Sequence, residues 1–508
     1  MCIMAQFKQA DITNVYWASN DGFKGGRDPM GIQNSSVATY GKLLPGMTNL
    51  TGHIRYYSLY CWLLDEYDQL DKKESQSVHQ YNFIRRSELA MALMMKDRGV
   101  RSVVGALFVA QGNYKFVEDG VYDLANGADF DSETKYWSFA SGALGQYYLG
   151  SLVYYELVKV EESRFYLGEK GKQLATALRN SVDEDVRDMF VECLLDGNVS
   201  EEELEELSPL ALNKIEVDSE EWVALNNLLT KVDSDGSDLR QQSVLLMLQD
   251  LDKGVSVDEF THHRFLHVAD NKDNQAVFGW YFYYLCEALH YCIESIFCLI
   301  LKKIESLNNP PVSVLIEDIQ NKILACTEEC LQYDKMEDWR LHINDKIDDL
   351  QDEMKTCISN GEYVEASSNA IKLLLRLATE FYNNKDSIRI FEDSHDLTRQ
   401  RGIFSEGVKA YVTQHLTSSV QDYIKAIILQ IMQEHTIVAI GKMGNSNSDL
   451  RKFIMEDGRV VLVEVRYPSN TTPRINSLFN YLQDLSYLDQ DGNLTQIAYD
   501  YIKNHESE

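Results

Sequence analysis

The chain has 508 residues, of which 44% are hydrophobic and 25% charged, and its formal net charge is −31. That length allows about two to four domains with large cores, and the composition excludes wholesale disorder. The acidic balance disfavours a general nucleic-acid-binding surface because it repels phosphate, and the low count of 7 prolines favours long uninterrupted helices.

Residues 1–133 are predicted to form a helical N-terminal domain. A glycine-rich loop over 15–34 precedes helices that reach residue 96, and residues 1–110 carry 12 basic against 10 acidic residues. Arginine with exposed aromatics suits phosphate backbones and stacked bases, but it equally suits an acidic protein surface or plain core packing. We therefore predict a near-neutral nucleic-acid or partner-binding face, made of Arg55, Tyr56, Tyr57, Arg85, Arg86, Arg98 and Arg101.

Residues 134–182 contain a helix, two short strand-like runs and a further amphipathic helix. The runs are Val158–Val160 and Arg164–Leu167, and the second helix begins near Gly168. This order is the one that a winged helix-turn-helix supplies. The segment is predicted to be a small winged-helix-like α/β unit.

Residues 183–440 are predicted to be an acidic, almost entirely helical body. Residues 111–436 carry 29 basic against 59 acidic residues, so most of the net charge lies there. The apolar stretch 276–301 is long enough to span a bilayer, but it contains Glu287, His290 and Glu294, and such groups are costly at a bilayer centre. A buried core helix is the preferred interpretation.

Residues 441–508 are predicted to hold a β-hairpin followed by a second winged-helix-like unit. Asp457-Gly458, flanked by apolar residues, is a strong hairpin signal. Helices are expected over about 475–488 and 494–502. The fold class is therefore mainly α, multi-helical, with two small winged-helix-like α/β units and a C-terminal β-hairpin.

Asp457, Glu464 and Arg466 are the candidate catalytic residues. Restriction-type nucleases place an Asp and a Glu-x-Lys on adjacent strands to hold Mg²⁺ and steady the attacked phosphate. Here arginine stands in the lysine position, and Asp457 falls in the expected turn. A hairpin that faces solvent accounts for the same three residues. Mg²⁺ is expected only if the protein is a nuclease, and otherwise no cofactor is expected.

Two further groups resemble weak metal sites. Glu287 and His290 form a Glu-x-x-His pair of the kind found in di-iron helical bundles, and His263 and His267 are spaced to grip one ion. Neither group has an evident remaining ligand set. A buried polar cluster satisfied by Tyr or Arg, and surface histidines at a helix end, are the preferred interpretations.

The N-terminal ten residues lack an apolar run of the length of a secretory signal, and none of the nine cysteines forms a C-x-x-C pair. Buried thiols in a reducing compartment explain the cysteines. The sequence thus predicts a cytoplasmic location and no membrane partner.

Three short motifs together resemble the opening of uncharacterised bacterial proteins encoded near anti-phage defence genes. They are Asp28-Pro-Met-Gly-Ile-Gln-Asn-Ser-Ser36, Leu43-Leu-Pro-Gly-Met-Thr-Asn49 and Arg55-Tyr-Tyr57. The resemblance covers about the first hundred residues and implies no catalytic assignment. It implies partners among the other protein subunits of a multi-gene system.

These observations favour a non-catalytic scaffold or recognition component of a defence or DNA-associated complex. Walker A, G-x-G-x-x-G, G-x-S-x-G and H-E-x-x-H patterns do not occur. The alternatives are a Mg²⁺-dependent nuclease centred on Asp457 and Glu464, and a winged-helix transcription regulator that binds DNA. The scarcity of Lys and Arg around both expected recognition helices weighs against the last.

Overall fold

The computed structural model is mainly helical, as predicted, with 67% helix in 22 α-helices among the residues that it describes. Small antiparallel sheets supply the strands, and the predicted C-terminal hairpin is one of them. The structure describes residues 28–70, 77–96, 102–112, 116–118, 120–231, 238–399, 403–443 and 450–505.

The chain forms two compact units, and both are discontinuous in sequence. Unit 1 comprises Met1–Tyr40 and Thr261–Thr471, and unit 2 comprises Gly41–Phe260 and Thr472–Glu508. These borders differ from the expected ones at residues 133, 182 and 440. The difference arises because segments far apart in sequence pack together within each unit.

The elements up to residue 252 follow in chain order, with a single π-helical turn at Leu144–Tyr148. They are α1 Asn34–Leu43, α2 Arg55–Gln69, α3 Gln80–Met95, α4 Ala106–Ala110, β1 Phe116–Glu118, β2 Val121–Asp123, α5 Leu124–Ala128, α6 Leu149–Tyr154, β3 Val158–Glu161, β4 Arg164–Leu167, α7 Glu169–Ser181, α8 Glu184–Asp196, β5 Asn198–Ser200, α9 Glu201–Glu206, α10 Glu220–Thr230 and α11 Asp238–Asp252.

The elements from residue 260 onward are again mostly helices. They are α12 Phe260–Leu266, α13 Gln275–Ser306, α14 Val312–Cys326, α15 Met336–His342, α16 Ile347–Asn360, α17 Tyr363–Asn383, α18 Lys385–Ser394, α19 Phe404–Tyr411, α20 Val420–Met443, β6 Phe453–Glu456, β7 Arg459–Leu462, α21 Ile475–Asp484 and α22 Gln496–His505.

Unit 1 is built around α13, which is apolar on nearly every face. Asn274 caps its N-terminus by accepting hydrogen bonds from the amides of Ala276 and Val277. Helices α14, α16, α17, α19 and α20 pack around it, and their apolar residues form one continuous core. The expected core helix is therefore present and buried.

Helices α13 and α20 are the two described helices long and apolar enough to cross a membrane by length and composition. The apolar window of α13 is wholly buried inside the protein, whereas 44% of that of α20 is buried. Burial of this extent in α13 is what the core helix of a folded unit shows.

The hairpin β6–β7 turns at Asp457 and Gly458, as predicted. Both residues have positive φ, 49° and 74°, which is the geometry of the two-residue turn that favours Asp-Gly. Glu456 pairs with Arg459 beside the turn, and Phe453 pairs with Leu462 at the open end. The hairpin belongs to unit 1.

In unit 2, the predicted order of helix, hairpin and helix is present as α6, β3–β4 and α7. Strand β5 adds to β1 and β2 in a three-stranded antiparallel sheet. None of these three strands is predicted from the sequence, which places β1 and β2 in the helical N-terminal domain and β5 in the helical body. Helices α21 and α22 lie in unit 2, so the C-terminal hairpin of unit 1 and these helices do not form one compact unit.

Candidate functional site

The arginines and tyrosines predicted to form a binding face are buried in unit 2. Arg55, Tyr56, Tyr57 and Arg85 are at most 2% exposed, and Arg86 is 7% exposed. Groups so enclosed cannot contact a partner in this structure, so the expected basic face is not formed by them. Arg98 and Arg101 lie outside the described residues.

Arg55 is held by a network of internal acceptors. Its guanidinium donates to both carboxylate oxygens of Glu221, at 3.0 and 2.8 Å. The remaining nitrogen donates to the carbonyls of Pro209, Ala211 and Lys214. Because the charge is paired and its donors are used, the residue ties α2 to α10 and to the loop before α10.

Arg85 and Arg86 bind the loop after α5 and the end of α8. Arg85 donates to backbone carbonyls that include that of Trp137, at 2.8 Å, and its guanidinium lies over the Tyr136 ring. Arg86 forms a bidentate ion pair with Asp129. These arginines fix the loop after α5 and the C-terminal end of α8, which is a structural role.

Tyr56 and Tyr57 belong to a cluster of buried tyrosines. Tyr148 of the π-helical turn contacts both rings, with centroids 5.0 and 5.7 Å away. The hydroxyls of Tyr57 and Tyr481 are 3.0 Å apart. Burial raises the pKa of Tyr57, so its hydroxyl stays protonated and can donate.

The three nuclease candidates are not brought to one point. Asp457 is exposed in the turn, whereas Glu464 follows β7 at the other end of the hairpin. An extended strand of this length separates them by roughly 20 Å. Glu464 pairs with Lys452, and Arg466 donates to the hydroxyl of Ser469 at 3.2 Å. Asp457 and Glu464 therefore cannot share a metal ion in this arrangement.

His263 and His267 lie side by side, with ring centroids 4.1 Å apart. Nδ1 of His267 is 2.9 Å from the carbonyl oxygen of His263, and Nδ1 of His263 is 3.1 Å from the guanidinium of Arg264. A neighbouring cation disfavours a bound metal ion. Among the described residues, no group of three or more His, Cys, Asp or Glu side chains is arranged to hold a metal.

Glu287, His290 and Glu294 form a buried polar stripe on α13. Glu294 accepts hydrogen bonds from the side chain of Gln33 at 2.7 Å and from the amide of Ser469 at 2.9 Å. Nε2 of His290 is 2.8 Å from the carbonyl oxygen of Ser469 and must donate to it. The stripe therefore uses its polar atoms to bind backbone, as a satisfied core cluster does.

Glu287 extends the stripe toward Thr471. It accepts from both the amide and the hydroxyl of that residue, at 2.9 and 2.5 Å. It also lies 3.4 Å from Nδ1 of His290. Backbone hydrogen bonds thereby attach the extended segment 469–471 to α13.

Helix α20 also contributes polar side chains to the cluster around the α13 stripe, which the sequence does not predict. Nδ1 of His435 donates to the carbonyl of Pro29 at 3.0 Å, and Lys442 donates to that of Asp28 at 2.6 Å. Burial lowers the pKa of Lys442. The side chain of Asp28 in turn accepts from the amides of Met30 and Gln33. Residues 28–33 of the first motif are thus a loop that is fixed inside unit 1, just before α1.

Glu294 is expected to make the stability of unit 1 depend on pH. Burial raises the pKa of this carboxyl above its ordinary 4.5, and Asp28 raises it further, while His290 and the Ser469 amide oppose the shift. The folded state therefore binds this proton more tightly than the unfolded state. The resulting stabilisation is complete below the ordinary pKa and is lost as the pH rises through the raised value.

We expect Glu294→Gln to gain stability relative to the wild type as the pH rises from about 4 to about 7. Gln33 can reverse its amide to accept from the new glutamine, so the fold tolerates the change. Urea unfolding across this pH range measures the difference. Glu464→Gln is the control. Because Lys452 lowers the pKa of Glu464, this variant should lose stability relative to the wild type as the pH rises. If the difference in the free energy of unfolding between Glu294→Gln and the wild type does not change with pH, the raised pKa of Glu294 is contradicted.

Unit 2 presents a densely acidic surface on α8, α9 and the loop that follows. Residues 183–220 contain 14 acidic against 2 basic residues. Every one of these carboxylates except Glu203 is exposed. Both helices pack against α3, which holds them in one place. Glu203 completes a capping box with Ser200 at the start of α9.

Comparison of the chain with protein-family models, curated proteins and solved structures gives no match. The kinship of residues 28–57 to defence-associated proteins therefore stays a prediction. What the structure adds is that residues of all three motifs serve as internal anchors, such as Gln33, Asn49 and Arg55.

Proposed function

We propose that the protein is a non-catalytic recognition subunit of a bacterial multi-protein system, and that the surface on α8 and α9 binds a basic partner protein. The exposed carboxylates of residues 183–220 carry this proposal. Such a surface attracts a lysine- or arginine-rich face, speeds encounter and rejects acidic partners. The resemblance to proteins encoded near anti-phage defence genes suggests the setting.

Ion pairs in the helix–hairpin–helix of residues 149–181 favour a protein partner over DNA for this segment too. Arg164 pairs with Asp68, and Arg179 pairs with Asp65 and Glu66. Lys170 and Lys172 lie beside Glu156 and Glu169. Cations already neutralised by carboxylates offer little to a phosphate backbone. We propose that this winged-helix-like segment contributes protein contacts.

Neutralising the surface should release the partner. The variant Asp188→Asn, Glu192→Gln, Glu205→Gln and Glu206→Gln removes four exposed charges outside the first turns of α8 and α9. We expect partner binding to weaken at least about tenfold, and wild-type binding to weaken with added salt. Affinity capture from the native host, followed by binding of the purified partner, measures both effects.

The matched control is Asp131→Asn, Glu133→Gln, Glu161→Gln and Glu162→Gln, which removes the same number of exposed charges elsewhere in unit 2. It should capture the partner as the wild type does. Equal capture by the surface variant and the control would refute the proposed surface. Captured material that nuclease treatment removes would point to a nucleic acid instead of a basic protein.

A further inference from the structure

Lys302 of unit 1 points its ammonium between two tyrosine rings. Nζ lies 5.7 Å from the ring centroid of Tyr363 and 5.5 Å from that of Tyr467. Tyr363 begins α17, whereas Tyr467 lies in the extended segment after β7 and is 47% exposed. The two rings therefore come from separate elements and meet around one cation.

The rings form an open wedge. Their centroids are 6.3 Å apart and their planes are inclined by 44°. Glu305 adds a carboxylate 3.1 Å from the Lys302 ammonium. Two electron-rich ring faces and one carboxylate are the groups that recognise an organic cation.

The lysine is held in this wedge by contacts of modest strength. Its side chain is 23% exposed, and its partner Glu305 is one turn further along the same helix and 53% exposed. Exposed ion pairs of this kind contribute little. The hydrogen bonds to Glu305 and Tyr467 raise the pKa of Lys302, so the amine stays charged and behaves as a cationic ligand of its own protein.

An arginine is the occupant that could replace it. A guanidinium is planar, less strongly hydrated than an ammonium, and able to stack on a ring while it donates two hydrogen bonds to a carboxylate. A lysine from a partner would gain no such advantage over Lys302. The wedge therefore discriminates between the two basic side chains by geometry and hydration.

We propose that Tyr363, Tyr467 and Glu305 form a binding site for an arginine side chain of a partner protein, and that Lys302 occupies the site until the arginine displaces it. The proposal rests on the basic partner proposed above and adds a specific contact for it. The site is separate from the acidic surface of unit 2, so each can be tested without the other.

Ligand-observed NMR titration of the full-length protein with N-acetyl-arginine amide tests the site directly. We expect Lys302→Met, which keeps the length of the side chain but removes the competing charge, to bind the probe about tenfold more tightly than the wild type. Tyr467→Leu should abolish binding in both backgrounds. N-acetyl-lysine amide should bind the wild type more weakly than the arginine probe.

Tyr382→Leu is the matched control. Tyr382 is 45% exposed, and its ring faces an internal cation, Arg340, at 5.3 Å and the Phe381 ring at 6.0 Å. Its loss should leave probe binding unchanged. Binding that survives Tyr467→Leu, or that does not tighten in Lys302→Met, would overturn the proposal. Because the probe is a small molecule, its failure does not depend on whether a basic partner binds α8 and α9.

Discussion

Replacing Glu221 by alanine is expected to lower the free energy of unfolding by about 3–5 kcal/mol. The substitution leaves the guanidinium of Arg55 buried, with three backbone carbonyls but no counter-charge. It also removes one of two acceptors of the Ser58 hydroxyl, at 2.6 Å, and leaves the carbonyl of Arg55 at 2.9 Å. An unpaired charge in a site 2% exposed is costly because the interior cannot solvate it. Chemical denaturation followed by circular dichroism measures the loss.

The double variant Arg55→Met, Glu221→Leu distinguishes the cost of an unpaired charge from the cost of lost packing. It removes both ions and should recover part of the stability that Glu221→Ala loses, since apolar residues of similar size replace a buried pair at little net cost. Asp68→Asn provides the surface comparison, because its ion pair with Arg164 is 44% and 38% exposed. That change should cost less than about 1 kcal/mol. Equal losses for Asp68→Asn and Glu221→Ala would contradict the argument.

Replacing Glu88 by alanine is expected to cost about 3 kcal/mol or more. The carboxylate is fully buried and accepts from the amides of Ala143 and Leu144, at 3.0 and 2.9 Å. It also accepts from the hydroxyls of Tyr60 and Tyr136. Four donors would lose their acceptor at the start of the π-helical turn. Thermal and denaturant unfolding report the effect.

Removing one tyrosine hydroxyl at a time measures how much a single hydrogen bond to Glu88 contributes to stability. Tyr60→Phe and Tyr136→Phe should each cost about 0.5–1.5 kcal/mol, because each removes one donor and leaves the carboxylate with three. Burial raises the pKa of Glu88, so its contribution is largest below the ordinary glutamate pKa and falls as the pH rises. A Glu88→Ala loss no larger than that of one tyrosine would show that the backbone donors find water instead.

Features with a local cause were predicted correctly from the sequence. The core helix predicted from the apolar stretch 276–301 is present as α13, Gln275–Ser306, since it needs only its own composition and the Asn274 cap. The hairpin turn follows from Asp457-Gly458 alone. Within the predicted helical body, the helices are interrupted near Ile343, between α15 and α16, and near Ser418, between α19 and α20. Ser419 accepts from the amide of Asp422 and starts α20, a cap that periodicity overlooked.

Features that depend on distant residues were not predicted. The burial of Arg55 depends on Glu221, which is 166 positions away, and that of Arg86 depends on Asp129. A sequence shows the arginine but not the carboxylate that folding brings to it, so exposure was assumed. Tyr or Arg side chains were the predicted partners of the polar stripe of α13. Its partners Ser469 and Thr471 come instead from an extended segment without periodicity.

The discontinuity of unit 2 has a consequence for biosynthesis. Its long segment, Gly41–Phe260, leaves the ribosome well before Thr472–Glu508 is made. At typical translation speeds the delay is on the order of 10–50 s. Until then Tyr57 and His53 lack Tyr481 and Asp484, their partners in the finished protein. The nascent chain therefore exposes surface that a chaperone would have to shield, and truncation before Thr472 should cause aggregation instead of giving a soluble product.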